Sequence, residues 1–279
     1  MINDEWVAIG YLFSAALFIF GLKNLSHPRT APRGNQLGAM GMLVAVLTTI
    51  LQMELGEGIE GWILIGSGLF IGGLIGWIMA VRVEMTGMPE LVALFNGFGG
   101  AASALVALSE SWKYIEDESL ELPTGLELEV MVVAAGLSAL VGWMTLTGSL
   151  LAMLKLKGGV EIFGKWIRTP TWGPEWLNPI KAILFLGTLV LIVLAIDDPT
   201  NTDYLYAIIG ISCLLGILLV LPIGGADMPV VVSLLNSLSG IAAAFTGFIF
   251  SNSVLIVAGS LVGASGLILT FIMCKAMNR

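Results

Sequence analysis

Charge is what this sequence has least of. Asp, Glu, Lys and Arg make up 11% of its 279 residues, less than half the roughly 25% of a water-soluble domain. A globule built from it would lack the polar surface to cover itself in water, which excludes a soluble fold. Histidine occurs once, as His27, and cysteine twice, as Cys213 and Cys274. That scarcity excludes a disulfide framework and a clustered metal site, and both cysteines stand in apolar runs as small hydrophobes. Twelve Lys and Arg against twenty Asp and Glu leave a net charge of −8, without the clustered basic face that nucleic acid requires. The run GFGGAA at 97–102 looks like a dinucleotide fingerprint, yet it lies inside an apolar stretch and not between a strand and a helix. No phosphate loop, metal-ligand pattern or nucleophile with a base stands elsewhere, so no catalytic site is expected in this chain.

What is present is hydrophobic: 57% of the residues, with a mean hydropathy of +0.96. The apolar residues come in runs of about twenty, the length that crosses a hydrocarbon core ~30 Å thick at ~1.5 Å per helical residue. They do not alternate over ten-residue stretches, as a barrel requires. The expected fold is an all-α integral membrane domain over 1–279. Its nine transmembrane helices are placed near 6–23, 36–53, 61–81, 89–109, 127–153, 180–196, 204–221, 229–250 and 254–274. The first run follows Asp4 and Glu5 without a preceding Lys or Arg or a small-residue cleavage site, so it reads as a retained helix.

Basic residues set the orientation, because basic loops resist translocation. One set of connections holds Lys23, Arg29, Arg33, Arg82, Lys155, Lys157, Lys165, Arg168, Lys181, Lys275 and Arg279, eleven of the twelve; the other holds only Lys113. The N-terminus is therefore expected outside and the C-terminus in the cytoplasm, with the acidic excess on the outer face.

The chain also repeats itself. MPELVALFNGFGGAA at 88–102 and MPVVVSLLNSLSGIA at 228–242 share seven of fifteen aligned positions, and LVG at 140–142 before Lys155 is echoed by LVG at 261–263 before Lys275. Spans four and five thus echo spans eight and nine. The copies are four spans apart and enter the bilayer in the same sense, which makes a parallel internal repeat. In each copy Pro opens a helix where it costs no hydrogen bond, and Asn96 or Asn236 follows seven residues later, ~10 Å into the membrane. A buried amide either bonds neighbouring helices as packing glue or lines a wet path for an ion; both roles stay open for both residues.

Other polar and small residues carry the same double meaning. Thr145, Thr147 and Ser149 in span five and Ser265 in span nine can each bond a carbonyl one turn back or line such a path. Gly68, Gly72 and Gly76 give span three a smooth face for close helix packing. Glu90 and Asp227 stand at the heads of spans four and eight, where a carboxylate gains from the helix dipole or contributes to a cytoplasmic gate.

The strings LSHPRTAPRGNQLGAMGM, VEMTGMPELVALFNGFGGAAS, TLTGSLLAMLKLKG, IGGADMPVVVSLLNSLSGIAAAFTGF and LIVAGSLVGASGLILTFIMCKAMNR resemble the membrane domain of the β subunit of proton-translocating NAD(P) transhydrogenase. The likeness covers essentially the whole chain and is most specific in GGADMPVVVSLLNS and IMCKAMNR. It implies proton passage across the inner (plasma) membrane, coupled to hydride transfer between NADH and NADP in soluble domains. This chain is then expected to bind no cofactor itself. NAD(H) and NADP(H) would be held by soluble parts of the enzyme, including an NADP(H)-binding domain beyond the position of Arg279, which the chain lacks. The implied partners are an α subunit, that soluble domain, a second copy in a homodimer, and the lipid bilayer.

The same resemblance implies that Asn236 and Ser149 line the proton path, with Asn96, Thr147 and Ser265 as further candidates. Glu90, Asp227, Lys275 and Arg279 would communicate with the NADP(H) domain at the cytoplasmic face, and Gly266 would be a close-packing position. Many members carry His where this chain has Asn96. Asn does not ionise, so the titrating group is expected from a helix of the α subunit. The competing expectations are a stand-alone secondary transporter, suggested by the repeat, and a membrane anchor with no transport role.

Overall fold

A computed structural model describes residues 4–52, 59–116, 122–162, 165–167 and 169–278. Within them are nine helices long and apolar enough to cross a membrane: α1 Asp4–Leu25, α2 Ala31–Gln52, α3 Ile59–Arg82, α4 Met88–Glu116, α5 Leu126–Leu156, α6 Leu177–Asp197, α7 Thr202–Val220, α8 Met228–Ile249 and α9 Ser253–Ala276. Each overlaps one of the nine apolar runs. A helix satisfies its own backbone polar groups, which is the condition for lying in hydrocarbon.

Two features depart from the sequence expectation. Strands β1 (Val160–Ile162) and β2 (Lys165–Ile167) pair antiparallel, Val160 opposite Ile167. The β-branched pattern of VEI and KWI favours this, but three residues are too few to stand out beside runs of twenty. Helix α4 also continues beyond residue 109 to Glu116, where Lys113 reaches Glu110 one turn back at 3.4 Å. Charge marked the end of the apolar run, while the helix carried on past it.

The helices group into two compact units, Met1–Glu84 and Met85–Arg279. In the first, α1 and α2 form an antiparallel hairpin: Ser14 Oγ donates to Gly41 O at 2.7 Å and Tyr11 Oη to Gln52 Oε1 at 2.8 Å. In the second, α5 is the central helix, packed against α4, α6, α7 and α8. Its buried residues include many small ones, Ala134, Ala135, Gly136, Ser138, Ala139, Gly142 and Gly148 among them, which lets neighbouring backbones come close where lipid gives no hydrophobic drive to associate. Two of the close crossings involve glycines that correspond in the sequence repeat. A Cβ on Gly100 would lie 2.9 Å from Gly142 O on α5, and one on Gly240 would lie 2.5 Å from Gly263 N on α9.

A single 3-10 turn leads into each of two helices, Met85–Gly87 before α4 and Gly225–Asp227 before α8. The two helices run parallel. Ser239 bonds Asn96 and Thr246 bonds Ser103, both pairs 143 residues apart, while the sequence repeat relating Asn96 to Asn236 runs at 140. Helix α8 is therefore advanced three residues past α4, about 4.5 Å along the axis.

A candidate polar path between three helices

Where α4, α5 and α8 meet, Asn96 stands at a junction. Its Nδ2 donates to Ser149 Oγ on α5 at 3.0 Å, and the Ser239 hydroxyl on α8 lies 2.7 Å from its Oδ1 and 3.1 Å from its own carbonyl. Both ends of the amide are thus satisfied between three helices. Ser149 is 1% exposed, while Asn96 and Ser239 are half-buried.

Further along α5 the same seam holds a second polar knot. Ser138 and Thr246 join hydroxyl to hydroxyl at 2.8 Å, and Thr246 also reaches Ser103 O on α4 at 3.2 Å. Eleven helical residues separate Ser138 from Ser149, about 16 Å. Between them lies Thr145, fully buried, whose hydroxyl has no partner among the described residues. Its methyl and Cβ pack against the crossing glycine Gly100. The seam is a broken line of hydroxyls and one amide, able to pass hydrogen bonds and unable to ionise in the accessible range.

The remaining candidates scatter. Thr147 faces the opposite side of α5, donating to Cys213 O on α7 at 2.9 Å. Ser265 is exposed and bonds only its own helix, at Val262 O. Asn236 is exposed too, and no bond joins it to a described residue of this chain. The three-residue stagger of α8 puts Ser239, which the sequence did not single out, where matched depth would have put Asn236. On the other side of α8, Ser237 donates to Gly263 O at 2.6 Å, and a Cβ on Gly266 would come within 2.9 Å of Ser237. Gly68, Gly72 and Gly76 have nothing within 4 Å of a Cβ among the described residues.

At the end of the unit where α4 and α8 begin, Glu90 lies half-buried in the first turn of α4 and Asp227 holds the N-cap position of α8. Lys275 is exposed in the last turn of α9, and Arg279 lies outside the described residues. Lys155, the sequence counterpart of Lys275, is buried, with 5% of its surface exposed. Its Nζ donates to Val220 O at 3.1 Å, Leu221 O at 2.6 Å and Ile223 O at 2.7 Å. Sequence placed this residue in a basic connection. The signal that could have found its role is the Pro222 that ends α7, which leaves carbonyls without a helical donor.

Comparison with known proteins adds an independent line. A family model described as NAD(P) transhydrogenase beta subunit matches residues 7–279. Two curated relatives from Rhodospirillum rubrum, one of them from a designated strain, carry the name NAD(P) transhydrogenase subunit beta. Each is 40% identical over 270 residues, covering 96% of this chain and 55% of the relative. The chain thus spans about half the length of the curated relatives it matches.

Proposed function

The chain belongs to the NAD(P) transhydrogenase β-subunit family, and from that premise we propose that it carries protons across the membrane in step with hydride transfer between NAD(H) and NADP(H) held elsewhere in the assembled enzyme. The observation that carries this proposal is the Asn96, Ser149 and Ser239 junction, an amide bonded at both ends where three apolar helices meet. Amides and hydroxyls in hydrocarbon need partners, and many such contacts serve only as glue. Here, however, the polar groups line up along one three-helix seam, with an unsatisfied hydroxyl at Thr145 in the middle.

As it stands the junction is closed, because both ends of the Asn96 amide are engaged. Passage requires at least one of these bonds to exchange for a bond to water or to a titrating group. A partner helix of the α subunit would supply that group, since Asn, Ser and Thr do not ionise. The exposed amide of Asn236 marks where such a helix would approach. In this arrangement the N-terminus is outside and the C-terminus is in the cytoplasm, in the inner (plasma) membrane of a homodimeric enzyme. Glu90, Asp227, Lys275 and Arg279 then face the NADP(H)-binding domain, and hydride transfer itself takes place off this chain.

The parallel course of α4 and α8 would also suit a stand-alone secondary transporter, a reading that the family match does not favour. Reconstitution in vesicles separates the possibilities. Proton movement that requires the nucleotides and the partner subunits is the expected result. Movement of another solute by this chain alone would select the transporter, and no movement in any assembly would leave a membrane anchor.

A further inference from the structure

Lys155 is more than a basic residue near the bilayer surface. Lys157, two residues on, is exposed, as a lysine at a membrane boundary ordinarily is once its stem has carried the charge to water. Lys155 instead turns inward and gives all three N–H donors of its ammonium to three backbone carbonyls, those of Val220, Leu221 and Ile223. These carbonyls bracket Pro222, which has no N–H of its own and cannot continue the capping pattern of α7. A cation at this place also complements the negative end of the α7 dipole.

The clamp holds more than the end of one helix. Leu221–Gly224 is the connector that delivers the chain to the turn Gly225–Asp227 and so to α8. A Cβ on Gly225 would lie 3.1 Å from Lys155 O, so the backbone of α5 also abuts that turn. Trp172 N donates to the same Leu221 carbonyl at 3.3 Å, from the segment that leads into α6. Six residues back along α5 is Ser149, about 9 Å away, already bonded to Asn96. One rigid helix end thus ties the polar junction to the segment that carries Asp227.

We propose that Lys155 is a positioning residue of the proton path: by clamping the carbonyls on either side of Pro222 it fixes the α7–α8 connector, and with it Asp227 and the head of α8, relative to the Asn96, Ser149 and Ser239 junction. This rests on the proton-path function proposed above. A movement of the connector would then be felt at the junction through α5, and the reverse.

The test uses the full enzyme with its partner subunits in sealed vesicles, comparing wild type with Lys155→Met, which keeps the reach of the side chain and removes its donors, and Lys155→Arg, which keeps the charge in a planar fork that cannot place three donors as an ammonium does. The readouts are protons moved per hydride transferred and amide hydrogen exchange over residues 221–227. The expected result is a ratio lowered severalfold in Lys155→Met, intermediate in Lys155→Arg, with connector exchange at least tenfold faster in Lys155→Met. A merely structural lysine would lower enzyme yield and both rates together and leave the ratio alone. A wild-type ratio in Lys155→Met therefore overturns the proposal. If Lys155→Met does not assemble, Lys155→Arg decides: a lowered ratio supports the clamp, and an unchanged ratio overturns it. A wild-type enzyme that transfers hydride without moving protons would instead overturn the underlying function, which keeps the two failures apart.

Discussion

Asn96 and Asn236 occupy the same place in two copies of one sequence pattern, yet the structure gives them opposite surroundings. Asn96 is bonded at both ends of its amide within the chain, while Asn236 is exposed. Gly100 and Gly240, four residues further on in each copy, behave alike instead: each stands where the next helix crosses, with backbone atoms inside 3 Å of a would-be Cβ. The repeat thus transmits the requirement for a close hairpin crossing within each pair, α4 with α5 and α8 with α9. Contacts between the pairs are set by stagger, and three residues of stagger turn a helix by about 300° and advance it about 4.5 Å. Ser239 therefore meets Asn96, and Asn236 is left exposed.

Substitutions can break or sharpen this contrast. The largest effect is expected from Asn96→Leu in the assembled enzyme, where nucleotide-driven proton pumping should fall more than tenfold, as measured by vesicle acidification. In the chain alone the same change leaves Ser149 and Ser239 without their partner, at about 0.6 to 2 kcal/mol on membrane hydrogen-bond scales. Asn236→Leu should cost the isolated chain nothing measurable, and wild-type pumping by the assembled Asn236→Leu enzyme would show that no partner uses that amide. Next come the crossing glycines. Gly240→Ala presses a methyl on the backbone of α9 and should lower stability by about 3 kcal/mol, with Gly100→Ala somewhat less because its nearest backbone atom, Gly142 O, stands at 2.9 Å where Gly263 N stands at 2.5 Å. Thermal unfolding in detergent measures both, and equal, negligible losses would show that the crossings are loose. Thr145→Val is expected to gain about 1 kcal/mol, since it removes a buried hydroxyl with no partner. A loss would mean that a bound water satisfies it. Smallest is Gly72→Ala, within about 0.5 kcal/mol in the isolated chain, because no atom of the described residues lies near.

Sequence made the nine helices legible because hydrocarbon enforces one rule, some twenty apolar residues per span, and every run obeys it. The sequence repeat rests on the same kind of count, since the depth of a residue in a helix follows from its distance to the helix start. Asn96 with Ser149 was within reach, as polar residues in apolar spans attract notice. Ser239 was not, and Lys155 was only so far as Pro222 after α7 leaves carbonyls in want of a donor. The partner of a buried amide depends on rotation and stagger, which hydropathy does not record, and a lysine that folds inward onto carbonyls looks in sequence like one that points to water. Lys155 and Lys275 align within the repeat, and only the structure separates the buried clamp from the exposed side chain. Thr147 shows the converse: two residues from both Thr145 and Ser149 on a helix, it lies on another face and meets α7 instead.

The central claim is that a proton in transit passes the Asn96 position. The most direct test is the pH profile of nucleotide-driven pumping by an Asn96→His enzyme reconstituted with its partner subunits. An imidazole titrates near pH 6.5 when unperturbed, so a group placed in the path should impose a new pH dependence between about pH 5.5 and 7.5 that the wild type lacks. A pumping profile superimposable on that of the wild type across this range, in an enzyme of normal assembly, would contradict the claim.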